Sequence, residues 1–141
     1  VGIRDAEITD WKDIKELLKQ LDYSDTDSFL QDKIKTLLNH SDERLLVYEC
    51  DGKVVALISI HFIPQLALKG DFARISYFAV DNEIRSKGIG RELEEYCISL
   101  AKDRKCDRIE VHWHSRRVDA HRFYYRQGFV ESPKYLIKNL S

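Results

Sequence analysis

The sequence predicts a single α/β domain, a β-sheet flanked by helices, and three observations carry that prediction. Asp51-Gly52 sits between two apolar runs, a strong hairpin signal because a tight two-residue turn needs left-handed backbone at both positions. Segments with one apolar face at helical spacing alternate with strand-like runs along the chain. Finally, the strand end Phe78-Ala79-Val80 runs through a glycine-containing turn, Arg85-Ser86-Lys87-Gly88-Ile89-Gly90, straight into an amphipathic helix. The chain of 141 residues is long enough for one domain with a real core and too short for two, so residues 1–141 are expected to form one unit.

Gly2 to Ile8 is expected as a short first strand. Thr9 or Asp10 then caps a helix with Trp11, Ile14, Leu17, Leu18 and Leu21 on one face. The polar break Asp25–Ser28 caps a second helix bearing Phe29, Leu30, Ile34, Leu37 and Leu38. Arg44–Cys50 and Lys53–Ile63 form the two arms of the hairpin. The run Val54–Ile60 is nearly all apolar, as in a central strand covered on both faces. Pro64 ends it, because proline cannot donate to a ladder. Gln65–Gly70 connects to a strand Asp71–Val80. The following helix buries Ile89, Leu93, Tyr96, Cys97 and Leu100 and turns Arg91, Glu92, Glu94, Glu95, Lys102 and Asp103 to solvent. Asp107–Trp113 alternates strictly, a strand with one buried face. A last helix spans about Asp119–Gln127 and stops at Gly128, and Phe129-Val130 and Tyr135-Leu136-Ile137 finish as two short strands.

Composition narrows the class. Net charge is −1, with 43% hydrophobic and 33% charged residues, which gives no bulk electrostatic case for nucleic acid or an acidic membrane surface. No apolar run approaches the ~20 residues of a membrane span. No signal-peptide pattern opens the sequence. Cys50, Cys97 and Cys106 are odd in number and fit neither a zinc pattern nor a disulfide framework. A cytoplasmic protein with reduced thiols is expected.

The turn into the central helix has the makings of an anion site. The first N–H groups of a helix lack intrahelical partners, and the helix dipole adds partial positive charge there. Gly88 and Gly90 let backbone approach a bulky anion, and Arg85, Lys87 and Arg91 add full charges, so a pyrophosphate fits against these converging N–H groups. An R-x-x-G-x-G string arises by chance in about one chain in thirty, so a second motif must decide. It lies about thirty residues on: Arg117-Val118-Asp119-Ala120-His121-Arg122-Phe123-Tyr124-Tyr125-Arg126-Gln127-Gly128-Phe129.

Together the two segments resemble the GNAT family of N-acetyltransferases, which use acetyl-CoA. The resemblance covers roughly Leu45 to Leu140, with the N-terminal third fitting in pattern only. It implies a central mixed, mostly antiparallel sheet in which one parallel strand pair splays apart to admit the pantetheine arm. It assigns the cofactor to Phe78, Ala79, Val80, Arg85, Ser86, Lys87, Gly88, Ile89, Gly90, Arg91, Ala120 and Phe123. Tyr124 takes the position of the acid that protonates the departing thiolate. Within the family the run His61–Leu68, then Ala73-Arg74-Ile75, then Arg117–Tyr124 is similar to bacterial small-molecule members such as aminoalkylphosphonate N-acetyltransferases, with the Asp119–Tyr124 string shared closely. Two departures stand out. An asparagine is common where Arg117 stands, and the phosphonate enzymes carry a glutamate near Tyr77 that deprotonates the amine through water. The base and the acceptor are therefore left open.

The expected reaction is transfer of the acetyl group of acetyl-CoA to a primary amine of a small molecule by direct attack. Tyr77 and His112 are candidate acceptor-site residues. The acidic stretch Asp22–Asp27 favours a cationic acceptor, whereas Arg74 and Arg117 favour an acidic one. The carbonyl would lean on strand N–H groups near Phe78–Val80. A thioester brings its own driving force, so no metal is required on chemical grounds, and of His61, His112, His114 and His121 only His112 and His114 share a strand face. Neither nucleic acid nor membrane is expected as a partner, and a homodimer is compatible with the sequence. Two other readings share the fold: a protein or peptide acetyltransferase acting on N-termini or lysines, and a non-catalytic acyl-CoA-binding module.

Overall fold

The structure, a computed structural model, describes residues 1–84, 87–111, 118–130 and 136–140, with 118–121 described by backbone alone. Five strands, β1 (Gly2–Asp5), β2 (Glu43–Cys50), β3 (Lys53–Ile63), β4 (Asp71–Val80) and β5 (Cys106–Val111), form one sheet in chain order. β1 to β4 pair antiparallel, and β4 with β5 is the parallel pair. The helices are α1 (Trp11–Gln20), α2 (Leu30–Leu38), α3 (Ile89–Asp103) and α4 (Val118–Arg126).

Asp51 and Gly52 take φ of 52° and 79°, both left-handed, and close β2 onto β3 as expected. β3 is buried from Val54 to Ile60 and has a core on each side. On one face Leu45, Val47, Leu57 and Ala79 pack against Ile14, Leu17 and Leu18 of α1 and Leu30 and Ile34 of α2. On the other, Leu46, Ile58, Ile60, Ala73 and Ile75 pack against Ile89, Leu93, Cys97 and Ala101 of α3. Burying a side chain such as Leu46, Ile58 or Leu93, each fully covered, contributes about 1.5–3 kcal/mol.

β4 holds a bulge. Tyr77 lies opposite Ser59 and Ile75 opposite Ile60, so Ser76 is the extra residue. The consequence shows in the packing: Ile75 and Phe78, three apart, both serve the α3 face, while Ala79 faces α1. Pairing with β5 runs from Asp71↔Cys106 to Ile75↔Val111 and, among the described residues, goes no further. Ser76–Val80 pairs with β3, and lies past the described pairing with β5.

Several elements differ from expectation. β1 ends at Asp5, and a 3-10 turn, Ile8–Asp10, precedes α1. Asp10 occupies the N-cap position of α1 but makes no side-chain cap bond. Its carboxylate instead accepts the Glu7 N–H at 2.7 Å and both Arg4 guanidinium branches at 2.9 Å, and Arg4 also reaches Glu49 at 2.9 Å. A buried carboxylate is held better by a two-pronged guanidinium than by a single helix amide. Phe29 is the N-cap of α2, likewise without a side-chain cap, and Phe29 and Leu38 are largely exposed because α2 turns only a narrow face to the sheet. On α3, Tyr96 is 39% exposed, whereas Glu94, expected in solvent, is 4% exposed. Residues 129–130 and 136–140 are not strands, and Leu136, Ile137 and Leu140 are exposed with no sheet face to cover. His112 and Trp113, the expected end of β5, lie outside the described residues, as does Tyr135.

Candidate functional site

The turn ahead of α3 places Gly88 at the N-cap with φ 81° and ψ 1°, a left-handed conformation that glycine adopts without steric cost. Among the described residues no atom comes within 4 Å of where its Cβ would sit, so the backbone angle is what selects glycine here. The first intrahelical bond is donated by the Glu92 N–H to the Gly88 carbonyl at 3.0 Å, which leaves the N–H groups of Ile89, Gly90 and Arg91 as the open donors of the first turn. Lys87 and Gly88 are exposed and Ile89 is buried. Arg91 is turned along the helix to Glu95 at 3.0 Å. Arg85 and Ser86 lie outside the described residues.

Three elements converge beside this turn. A Cβ on Gly90 would touch the Phe123 ring at 3.5 Å and Val80 at 3.6 Å, so α3, β4 and α4 meet there at ordinary contact distance. Phe78 of β4 meets Phe123 edge-on at 5.6 Å and Tyr124 at 6.2 Å. Tyr124 is 6% exposed and also borders Phe129 at 5.5 Å. Ala120 is in α4, one turn before Tyr124, so the two share a helix face by spacing.

The opposite face of the sheet carries polar groups at the same height. Tyr77, 40% exposed, packs edge-on against Tyr23 from the α1–α2 connection at 5.2 Å. Burial pushes the Tyr77 phenol above its ordinary pKa, with Tyr23 adding to the effect. Next to it, Ser76 is bonded to His61, and His61 to Glu43. Arg74 reaches Glu110 of β5 at 3.5 Å. In the acidic connection Asp27 pairs with Lys15 at 2.6 Å. The end of β4 thus has the glycine turn and α4 on one side and Tyr77, Ser76 and His61 on the other. His112 and Arg117 lie outside the described residues.

The sequence pattern matches the acetyltransferase (GNAT) family model over residues 8–129. The chain belongs to this family. GNAT proteins use acetyl-CoA as acetyl donor. An aminoalkylphosphonate N-acetyltransferase from Salmonella typhimurium is 31% identical over 82 residues, which are 58% of this chain and 53% of that enzyme. The chain thus matches about half the length of that relative. Among solved structures, a transcriptional regulator from Bacillus halodurans superposes with a TM-score of 0.89 at 24% identity, covering 99% of both chains. A glucosamine-6-phosphate N-acetyltransferase from Arabidopsis thaliana gives 0.84 at 23% identity over 99% of this chain and 97% of that one. A ribosomal-protein-alanine N-acetyltransferase from Brucella melitensis gives 0.77 at 17% identity over 97% and 98%. These three establish the GNAT fold, and their names cover acceptors as different as a sugar phosphate and a protein. Among the described residues no helix is long and apolar enough to cross a membrane.

Proposed function

We propose that this GNAT protein transfers the acetyl group of acetyl-CoA to a primary amine of a small molecule, with Tyr124 as the acid. The observation that carries the reading is the meeting of the end of β4, the N-terminus of α3 and the Phe123–Tyr124 pair of α4. Lys87 to Arg91, together with Arg85 and Ser86, would hold the pyrophosphate, and Ala120 and Phe123 would flank the pantetheine arm. Acetyl-CoA supplies an activated acyl group. N–H groups near Phe78–Val80 would take the carbonyl oxygen, an oxyanion-type interaction made by backbone already fixed in the sheet. The Tyr124 hydroxyl delivers its proton to the leaving sulfur. A thiolate with a pKa near 8.5 leaves readily, and a phenol near 10 is matched to assist it.

The small-molecule acceptor is favoured by Tyr23 and Tyr77, which close the acceptor face to a narrow aromatic wall where a peptide would need an extended groove. Thiol release from acetyl-CoA would be followed with an aminoalkylphosphonate, an amino-sugar phosphate, phenethylamine and an alanine-terminated peptide. A small amine is expected to exceed the peptide in kcat/KM, and a tenfold preference for the peptide would defeat this acceptor class. Tyr124→Phe keeps the ring among Phe78, Phe123 and Phe129 and should lower kcat by ~10²–10⁴ with acetyl-CoA affinity unchanged. A Phe variant at near wild-type rate would make Tyr124 a packing residue.

A further inference from the structure

We propose that Glu43, His61 and Ser76 form a proton relay that deprotonates the acceptor ammonium before it attacks. The inference rests on the amine-acetylation reading above and supplies the base that reading lacks.

The three residues come from three adjacent strands. Glu43 of β2 lies directly opposite His61 of β3, and the two side chains bond through His61 Nδ1 and Glu43 Oε2. On the far side of the imidazole, Nε2 lies 2.5 Å from Ser76 Oγ. The carboxylate accepts only, so it fixes the proton on Nδ1 and leaves Nε2 with the lone pair that faces the serine hydroxyl. His61 and Glu43 are mostly covered, with 22% and 20% of their side chains exposed.

The bulge is what lets Tyr77 share this face with the hydroxyl. Without the extra residue, Ser76 would share the face of Arg74 by simple alternation, yet its neighbour Tyr77 would turn to the α3 side. With it, Ser76 bonds to His61 while Tyr77 still faces Tyr23. Ser76 is also the first β4 residue beyond Ile75↔Val111, the last β5 pair among the described residues. On the reading above, the splayed gap would begin at this residue, with the hydroxyl on the face opposite the anion turn.

The groups facing the relay are Glu43 from β2, Arg74 and Ser76 from β4, Glu110 from β5 through Arg74, and Tyr77 with its partner Tyr23. The step balances as a proton transfer. The ammonium N–H gives its proton to Ser76 Oγ as the serine proton passes to His61 Nε2. A neutral amine and an imidazolium against Glu43 result. Attack of the amine forms the C–N bond and leaves a second proton on nitrogen; as the C–S bond breaks the sulfur takes the Tyr124 proton, the nitrogen proton passes through water to the Tyr124 phenolate, and His61 returns its proton to water.

A relay and a structural tie predict different pH profiles. A primary alkylamine has a pKa of about 10.4, so near neutrality almost all of it needs a base, and near pH 10 much of it does not. kcat/KM for phenethylamine and aminoethylphosphonate would be measured from pH 7 to 10 for wild type, His61→Gln and Ser76→Ala, with melting curves for each. Ser76→Ala removes only a hydroxyl and keeps the strand. At pH 7 the variants are expected to lose ~10²-fold or more, with the deficit shrinking towards ~threefold near pH 10. A deficit that stays constant with pH, or no deficit, overturns the relay and leaves a cross-strand tie. A wild-type protein that binds acetyl-CoA but acetylates neither probe nor any amine overturns the functional reading and the relay with it.

Discussion

Gly88→Ala tests the anion turn at its most constrained point. Among the described residues nothing lies within 4 Å of the new methyl group, so a steric clash with them contributes nothing. The whole effect comes from φ 81°, where an L-residue with a Cβ costs about 1–2 kcal/mol. For 141 residues the unfolding entropy is about 0.3 kcal/mol per degree, so a strain carried in full lowers Tm by about 3–7 °C. The turn has a second option, which is to relax. It then recovers its stability but swings the first N–H groups of α3 away from a bound pyrophosphate. Losing one charge-assisted hydrogen bond costs about 1.5–3 kcal/mol, roughly a tenfold to hundredfold weaker acetyl-CoA complex. Calorimetric titration with acetyl-CoA and a melting curve on the same sample read both branches. Gly90→Ala serves as the stability comparison: its Cβ meets Phe123 and Val80 at ordinary distance, and Tm should hold or rise. A Gly88→Ala protein with both Tm and affinity unchanged would refute the role given to this turn.

Three other outcomes follow from buried polar groups. Arg4, with the Glu7 N–H, holds the Asp10 carboxyl below the usual range against the opposing effect of burial. A depressed acid stabilises the fold above its unfolded pKa, near 3.9, and loses that contribution as pH falls through the folded value. Asp10→Asn should thus cost about 1.5–3 kcal/mol at pH 7 in chemical denaturation and progressively less in acid. Glu94 behaves oppositely, since burial, with Glu95 adding, raises its pKa. A raised acid costs stability once pH exceeds the unfolded value near 4.3, so Glu94→Gln should raise Tm at pH 7 and have no such effect at pH 4. Burial also pushes the Cys97 thiol up to about 12, with no exposed surface. Iodoacetamide at pH 8 should leave Cys97 unmodified in the folded protein and label it on unfolding, as read by mass spectrometry.

What could be read in advance follows from how local each signal is. The Asp51-Gly52 hairpin, the apolar run of β3 and the glycine turn are written in consecutive residues, and local chemistry determines their shape. Glu94 was misplaced because α3 buries a broader stripe than its apolar residues mark, where it crosses β3, β4 and β5. Asp10 was read as a cap because nothing in its neighbourhood announces that Arg4 will fold back across the 3-10 turn. The Glu43–His61–Ser76 cluster was missed for a related reason. Its members lie 18 and 15 residues apart and are joined by strand register and a bulge. The one available signal was the spacing of Ile75 and Phe78, an odd interval for two residues of one strand face.

The sheet order also has a kinetic meaning. β2, β3 and β4 are chain neighbours joined by short connections, so their ladder closes small loops and can form while the rest of the molecule is still unstructured. β5 joins differently. It reaches β4 only by a parallel crossover that must first carry α3 over the sheet. The parallel seam is therefore expected to form later than the antiparallel ladder. During synthesis the acceptor face emerges from the ribosome well before the donor-binding half exists. A ligand that spans the β4 edge, α3 and α4 would latch that later step, raising the apparent stability by mass action and slowing amide exchange most strongly in β5.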